Sequence, residues 1–77
     1  MWVEQNFKLV NQYKFNDFKE AMIFINKVAK ICEEVNHHPE IYNCYSSVKL
    51  SLCTHDSNDN ITEKDHELAN LIDKIVL

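Results

Sequence analysis

The chain contains no glycine, no arginine and a single proline among its 77 residues. Without glycine, a turn that needs a positive φ has to use asparagine, which tolerates that backbone region, and nine asparagines are present. Without arginine, eight lysines face twelve acidic residues, and the formal net charge is −4. Because sequence-independent binding of nucleic acid requires a basic surface, we expect no direct nucleic-acid partner.

The chain also lacks paired cysteines and long apolar runs. Its three cysteines, Cys32, Cys44 and Cys53, are an odd number with no Cys-x-x-Cys spacing, so we predict reduced thiols in an intracellular protein. No run is long enough to span a membrane, and charged residues interrupt residues 1–10, which argues against a secretory signal. We therefore predict a cytoplasmic protein with no membrane partner, and an additional nuclear location is the alternative.

What is present is typical of one small globular domain over residues 1–77. Hydrophobic residues make up 45% of the chain and charged residues 26%. A chain of this size hides only about 60–65% of its unfolded surface, and its core rarely supplies more than ~3–5 kcal/mol. Since disulfides and a membrane are not expected, we predict that self-association supplements the core.

The first half of the chain predicts two strands and a helix. Residues 7–15 alternate apolar and polar side chains, as a half-buried strand does, and residues 2–5 predict a shorter strand before them, with a turn near Gln5-Asn6. Residues 17–36 predict a helix with Asp17 as its N-cap and Glu20 three residues on. Pro39 ends this region. Apolar residues at spacings of three and four predict the buried stripe: Phe18, Ala21, Met22, Ile25, Val28, Ala29, Cys32 and Val35.

The second half predicts a hairpin and a final helix. The hairpin arms are residues 40–45 and 48–54, joined by a turn at Ser46-Ser47, and a polar loop covers residues 55–60. Thr62 caps the last helix, and Asp65 is its third residue. The predicted apolar face of that helix is Leu68, Ala69, Leu71, Ile72, Ile75 and Val76. The order β-β-α-β-β-α predicts an α+β two-layer sandwich, a four-stranded antiparallel sheet with both helices on one face.

Histidine is the side chain best suited to proton exchange near neutrality, and the chain has four. His37 and His38 lie at the break between the first helix and the hairpin, and His55 lies at the end of the second hairpin arm. In the predicted topology these positions are neighbours, so three imidazoles would share one pocket, flanked by acidic residues. Histidines near a helix C-terminus are also favoured by the macrodipole without any function. His66 falls on the polar side of the last helix and is expected to have no role.

The same histidines and cysteines suggest two other site chemistries. Three histidines could bind zinc, but adjacent His37 and His38 project in different directions, and no His-x-x-x-His or Cys-x-x-Cys spacing supports a site, so no metal is predicted. Cys53 lies two residues before His55, which suggests a nucleophile. Strand parity, however, is consistent with simple surface placement of Cys53.

Residues 33–40 (EEVNHHPE), Tyr45, residues 54–56 (THD) and residues 62–65 (TEKD) together resemble the pterin-4a-carbinolamine dehydratase family. The family pattern has an acidic residue four positions before His-His-Pro, an aromatic residue six after the proline, a histidine ten later, and then an aspartate. The resemblance extends upstream to residues 14–18 and to Trp2. Two features depart from it: the family's helix before the tryptophan is absent, and Ile41 stands where many members have an aromatic residue.

The resemblance implies the same sandwich, a homodimer or homotetramer, and a lyase that dehydrates a 4a-hydroxytetrahydropterin to the quinonoid dihydropterin in pterin recycling. The pterin is the substrate, so no cofactor is implied. His37 and His38 would be the acid–base residues, and His55 would orient the substrate hydroxyl or share proton transfer. The other implied substrate-binding residues are Glu33, Asn36, Cys53, Thr54 and Asp56. Asp65 is expected either to cap the last helix or to act directly, and Tyr45 to be core or pocket wall.

A rival prediction is a non-enzymatic interaction module, because some animal relatives are implied to serve as dimerisation partners of a transcription factor. A module without catalysis would not need all three histidines. Since His37, His38 and His55 are all present, we favour the enzyme.

Overall fold

The computed structural model describes residues 1–77 and confirms the predicted β-β-α-β-β-α order. A single 3₁₀ turn, His55–Ser57, lies between the last strand and the last helix. The elements are β1 (Val3–Gln5), β2 (Lys8–Lys14), α1 (Phe18–Val35), β3 (Glu40–Cys44), β4 (Ser47–Leu52) and α2 (Glu63–Asp73). No helix combines the length and the apolar character needed to cross a membrane.

The four strands form one antiparallel sheet in the order β1-β2-β4-β3. Leu9 on β2 pairs with Leu52 on β4, so both project to the same face, as side chains at paired positions do. On that face one continuous core joins the sheet to both helices. Its members are Leu9, Ala21, Phe24, Val28, Cys32, Val48, Leu50, Leu52, Leu68, Ala69 and Ile72.

Helix α1 begins where the sequence predicts, since Asp17 Oδ1 accepts a hydrogen bond from the Glu20 N–H at 2.8 Å. Its buried stripe differs from the predicted one. The predicted stripe omits Phe24, which is buried, and it includes three residues that are exposed, namely Phe18, Ala29 and Val35. Phe24 packs into an aromatic cluster under the helix, with its ring centroid 4.5 Å from that of Tyr13, and this contact accounts for its burial.

Both hairpin turns fall elsewhere than predicted. Cys44 pairs with Ser47, so the β3–β4 turn is Tyr45-Ser46 and not Ser46-Ser47. Tyr45 has φ 52° and is exposed, so it is neither core nor pocket wall. It lies at the end of β4 remote from His55.

The β1–β2 turn is Asn6-Phe7, with φ of 52° and 64°, and not Gln5-Asn6. Two positive φ values suit a two-residue hairpin because they match the strand twist. The expectation that asparagine supplies every positive φ is therefore wrong, since Phe7 adopts one too. Phe7 is consequently exposed and does not belong to the inward row of β2.

Three further positions differ from the prediction. Strand β4 ends at Leu52, so strand parity does not apply to Cys53, which is buried and not on the surface. Helix α2 ends at Asp73, which leaves Ile75 and Val76 beyond the helix, with Val76 exposed. All three cysteines are free; Cys32 is buried like Cys53, and Cys44 is exposed.

Candidate active site

The end of helix α1 places the two adjacent histidines. Asn36 adopts a left-handed conformation, φ 54° and ψ 46°, which asparagine tolerates better than most residues. Its N–H and that of His37 both reach the carbonyl of Cys32. Pro39 restrains the backbone of His38 toward extended geometry, so the chain leaves the helix and enters β3. The two imidazoles therefore project from a short, well-defined corner.

The second part of the site is the loop after β4. The Thr54 N–H donates to the carbonyl of Asn60 at 2.9 Å, and Thr54 forms an isolated bridge with that residue. This closes residues 55–60 into a compact loop that contains the 3₁₀ turn. His55, at the start of that turn, is thereby held next to the corner at the end of α1.

The three histidines line one cleft of about 210 Å³, as the topology predicts. No hydrophobic side chain lines it. The lining residues are Asn36, His37, His38, Thr54, His55, Asp56 and Lys64. Of the other predicted site residues, Glu33 reaches the site through His38, and Cys53 is buried next to the cleft without lining it.

Behind the cleft, His37 contacts a buried carboxylate. His37 Nε2 lies 2.6 Å from Asp65 Oδ1, and Asp65 is fully buried. The other carboxylate oxygen accepts hydrogen bonds from the Thr54 hydroxyl at 2.8 Å and from the Thr62 N–H at 2.9 Å. An ionised carboxylate only accepts, and all of these partners can donate. A His37 ring that donates from Nε2 keeps Nδ1 unprotonated when the ring is neutral.

Each of the other two histidines also has its own carboxylate. His38 Nε2 lies 2.5 Å from Glu33 Oε2, and His55 Nδ1 lies 2.6 Å from Asp59 Oδ1. Both pairs are exposed to solvent, whereas the His37 side chain is only 14% exposed. In all three pairs the second ring nitrogen makes no hydrogen bond within the chain. Those nitrogens are available to a bound molecule or to water.

Sequence reasoning left two features of the site undetected. Asp59 lies four residues after His55, but this spacing predicts contact only on a helix, and here a loop with Asp59 at φ 58° produces it. Lys64 reaches the cleft from the first turn of α2, and no motif marks it. Asp65 caps α2 through the Thr62 N–H and contacts His37, whereas its direct role in the reaction stays a prediction.

A larger groove of about 920 Å³ lies elsewhere, on the sheet face away from the helices. It includes Tyr13 and Tyr42 and none of the predicted site residues. The only carboxylate that lines it is Glu40, whose Oε1 is paired with the Lys8 ammonium at 2.6 Å. We therefore take the smaller, histidine-lined cleft as the candidate site, because proton transfer requires titratable groups and each of its three histidines has a ring nitrogen without a hydrogen bond.

Known proteins resemble this chain over nearly its full length. The family profile described as "Pterin 4 alpha carbinolamine dehydratase" matches residues 1–75. A protein of Prochlorococcus marinus (strain NATL2A) named "Putative pterin-4-alpha-carbinolamine dehydratase" is 41% identical over 75 residues, 97% of this chain and 78% of that protein. A protein of the same name from Sulfolobus acidocaldarius is 43% identical over 74 residues, 96% of this chain and 80% of that protein.

Two solved structures share the fold. The crystal structure of a "transcriptional coactivator/pterin dehydratase" from Brucella melitensis superposes with a TM-score of 0.85 at 32% identity, over 94% of this chain and 78% of that one. A "pterin dehydratase-like protein" described as a RuBisCO assembly factor in the alpha-carboxysome has a TM-score of 0.78 at 23% identity, covering 94% of this chain and 84% of that one. At that identity the second likeness shows the fold alone.

Proposed function

The chain belongs to the pterin-4a-carbinolamine dehydratase family, and on this basis we propose that it dehydrates a 4a-hydroxytetrahydropterin to the quinonoid dihydropterin and water. The enzyme would be a hydro-lyase in pterin recycling. The pterin is the substrate, so the reaction needs no separate cofactor.

The observation that supports this proposal best is the set of three imidazole–carboxylate pairs around one polar cleft. Each pair leaves one ring nitrogen free, and the cleft is open to a planar, hydrogen-bonding molecule. A dehydration that moves two protons needs such groups and no metal, redox centre or covalent nucleophile.

The proposed step balances with two proton transfers. The bond between C4a and the hydroxyl oxygen breaks, and a general acid supplies the proton that completes the leaving water. A general base removes the proton from N5, and the electron pair of that N–H bond forms the double bond between N5 and C4a. The acid loses one proton and the base gains one, so exchange with solvent restores both. Each positioned group contributes about 10²–10⁴-fold.

We assign the two transfers to His37 and His38. The buried Asp65 carboxylate orients the His37 ring through Nε2 and leaves Nδ1 available to take or give a proton. His38 is half-exposed, and its partner Glu33 is more exposed still, so this pair exchanges protons readily with water. The two histidines therefore suit the two different proton transfers, because His37 is shielded from solvent and His38 is in contact with it.

The remaining cleft residues would bind and orient the pterin. His55 presents Nε2, and a hydrogen bond from it would fix the 4a-hydroxyl. The Asp56 carboxylate would accept hydrogen bonds from the N–H groups of the pterin ring. Asn36 and Thr54, which also line the cleft, would add polar contacts to the pterin. Cys53 would contribute only through its backbone, because its side chain is buried.

The test is the rate of 4a-carbinolamine dehydration, measured by stopped-flow absorbance with the spontaneous reaction subtracted. We expect a rate that rises in proportion to protein concentration, for the wild type and for His66→Ala alike. His66 is exposed on α2 and does not line the cleft, so its variant is the matched control. A folded protein that leaves the spontaneous rate unchanged would overturn the proposal.

The size of the core supports self-association. Only 17 of 77 residues are buried, and large apolar side chains such as Phe7, Ile41 and Tyr42 are exposed. We propose a homodimer or homotetramer located in the cytoplasm. Light scattering at micromolar concentration should give two or four times the chain mass of 9.1 kDa. A measured mass near that of one chain would contradict the proposal.

A second candidate function is a protein-interaction module, which the similarity to the Brucella melitensis protein described as a transcriptional coactivator favours. The exposed edge strand β3 offers unpaired backbone groups to a partner. The dehydration assay separates the two candidates, because an interaction module would leave the spontaneous rate unchanged.

A further inference from the structure

Three side chains of different ligand chemistry converge at the loop after β4. They are the thiol of Cys53, the imidazole of His55 and the carboxylate of Asp59, and one ligand atom from each lies within 4.8 Å of the other two. We propose that this trio binds one thiophilic divalent transition-metal ion of the Zn²⁺ class. The site differs from a three-histidine zinc site, because neither His37 nor His38 belongs to it.

The loop geometry creates the trio. Cys53 directly follows β4 and is 6% exposed, so its position is fixed by the core. His55 opens the 3₁₀ turn, and the positive φ of Asn58 and Asp59 turns the chain back toward it. The Thr54–Asn60 bridge then locks the loop closed. One ligand is thus buried and two face solvent, which leaves an open side for a water as the fourth ligand.

The distances suit a small cation after a modest adjustment. Bonds of about 2.0–2.3 Å in a tetrahedral site place ligand atoms roughly 3.3–3.8 Å apart. The separations in the trio, none above 4.8 Å, must close by no more than about 1.5 Å, and the 2.6 Å contact between His55 Nδ1 and Asp59 Oδ1 must open by about 1 Å. The side chains of His55 and Asp59 are 77% and 66% exposed, so both can rotate without disturbing the core.

The charges around the thiol favour a cation. Asp59, Asp65 and Glu40 all act on Cys53, and the single opposing charge, Lys8, is already paired with Glu40 at 2.6 Å. A divalent ion would neutralise the Cys53 thiolate and the Asp59 carboxylate together.

Binding would release protons in a defined way. The S–H bond of Cys53 breaks, its proton passes to solvent, and the sulfur lone pair forms the bond to the metal. His55 ligates through Nδ1, so the proton shared with Asp59 moves to Nε2 if the ring is neutral and to solvent if it is charged. Metal affinity should therefore fall as the pH is lowered.

The test is a titration of the full chain with Co²⁺, used as a spectroscopic probe and followed by absorbance. We expect saturation at one ion per chain, with a thiolate-to-cobalt charge-transfer band in the near ultraviolet. The matched pair is Cys44→Ser and Cys53→Ser. Cys44 is exposed on β3 and lies outside the trio, so Cys44→Ser should keep the band and Cys53→Ser should lose it.

Asp59→Asn is a second variant, and its folding should not be affected because the Asp59 side chain is exposed and lies outside the core. It should weaken Co²⁺ binding at least tenfold while the circular dichroism spectrum stays unchanged. The absence of the band in wild type, a band that survives Cys53→Ser, or a band that disappears only in Cys44→Ser would each overturn the proposal. None of these readouts uses dehydratase activity, so they are independent of the proposed function.

Discussion

His37 and Asp65 are 28 positions apart in the chain, yet His37 Nε2 lies 2.6 Å from Asp65 Oδ1. The contact joins the C-terminal corner of α1 to the first turn of α2. Asp65 also accepts hydrogen bonds from the Thr54 hydroxyl and the Thr62 N–H, so one buried carboxylate links the loop after β4, the end of α1 and the start of α2. The orientation of the proposed catalytic imidazole therefore depends on how the two helices pack.

The first prediction concerns Asp65→Asn, since Asp65 acts here as a positioning residue. The amide can keep one acceptor toward the threonines, but its NH₂ then faces His37 Nε2 and forces the proton of a neutral ring onto Nδ1. Turnover should fall at least tenfold, as part of a general acid–base contribution of about 10²–10⁴-fold. Imperfect pairing of a buried group should cost about 1–3 kcal/mol of the free energy of unfolding.

The matched control is Asp73→Asn on the same helix. Asp73 is exposed, and its Oδ1 accepts from the Trp2 indole, a bond that an asparagine oxygen can also accept. We expect the pH dependence of turnover to change in Asp65→Asn and to stay as in wild type in Asp73→Asn. A folded Asp65→Asn protein with wild-type turnover and pH profile would refute the positioning role.

The second prediction separates the two adjacent histidines. Both His37→Ala and His38→Ala should reduce turnover. Their effects on stability should differ, because His37→Ala leaves the buried Oδ1 of Asp65 without its hydrogen-bond partner, at about 1–3 kcal/mol, whereas His38→Ala removes an exposed side chain at under about 0.5 kcal/mol. Urea unfolding of the two variants measures the difference. His38→Ala as destabilising as His37→Ala would contradict the burial that we describe.

The second prediction extends to His55→Ala, which tests a binding role. It should raise the substrate concentration needed for half-maximal rate more than it lowers the maximal rate, because His55 is proposed to orient the hydroxyl. A fall in maximal rate alone would instead place His55 among the acid–base residues.

Much of the fold could be predicted because the periodic pattern and the end signals agree. Asp17 starts α1 and Pro39 follows its end, and alternation along β4 places Leu50 and Leu52 in the core. The turns could not be predicted, because a chain without glycine gives no strong signal for positive φ. Phe7 and Tyr45 adopt it at a cost of about 1–2 kcal/mol each, which the paired strands on either side must offset.

The sequence was sufficient to predict the histidines of the candidate site, but only some of their carboxylate partners. His37, His38 and His55 are brought together by topology, which the order of the elements already contains. The partner carboxylates depend on details of the loop and of helix packing. Asp59 meets His55 only because the Thr54–Asn60 bridge closes the loop, and nothing in the spacing indicates that bridge.

The third prediction concerns thiol reactivity. Cys44 is exposed, while burial raises the pKa of both Cys32 and Cys53 and keeps them protonated at neutral pH. With an aromatic disulfide reagent under native conditions, one thiol per chain should react quickly and two slowly. Denaturation should expose all three. Cys44→Ser should remove the fast phase, and a native protein with three equally fast thiols would contradict the core packing.

The fourth prediction concerns alkaline stability. Burial raises the pKa of the Tyr13 hydroxyl from 10.0 to about 12. Between these values the unfolded chain has lost this proton and the folded chain has kept it, so the folded state binds more protons and stability falls as the pH rises. Below about pH 10 the Tyr13 hydroxyl is protonated in both states, so its contribution to the stability of the folded state does not change with pH there and is fully present. Unfolding midpoints in urea from pH 9 to 12 should fall more steeply for wild type than for Tyr13→Phe.

The exposed Tyr42 provides the control, since Tyr42→Phe should follow the wild-type curve. If Tyr13→Phe and wild type lose stability in parallel above pH 10, the Tyr13 hydroxyl titrates as in the unfolded chain, and the aromatic cluster does not shield it.

The most direct test of the account compares first-order rate constants for 4a-carbinolamine dehydration in wild type, His66→Ala and the double variant His37→Ala/His38→Ala, at equal concentrations of folded protein. The spontaneous rate is subtracted at each pH. The account predicts that wild type and His66→Ala accelerate dehydration equally. The double variant should retain at most a small fraction of that acceleration. Full acceleration by the double variant would show that the histidine cleft does not perform the proton transfers.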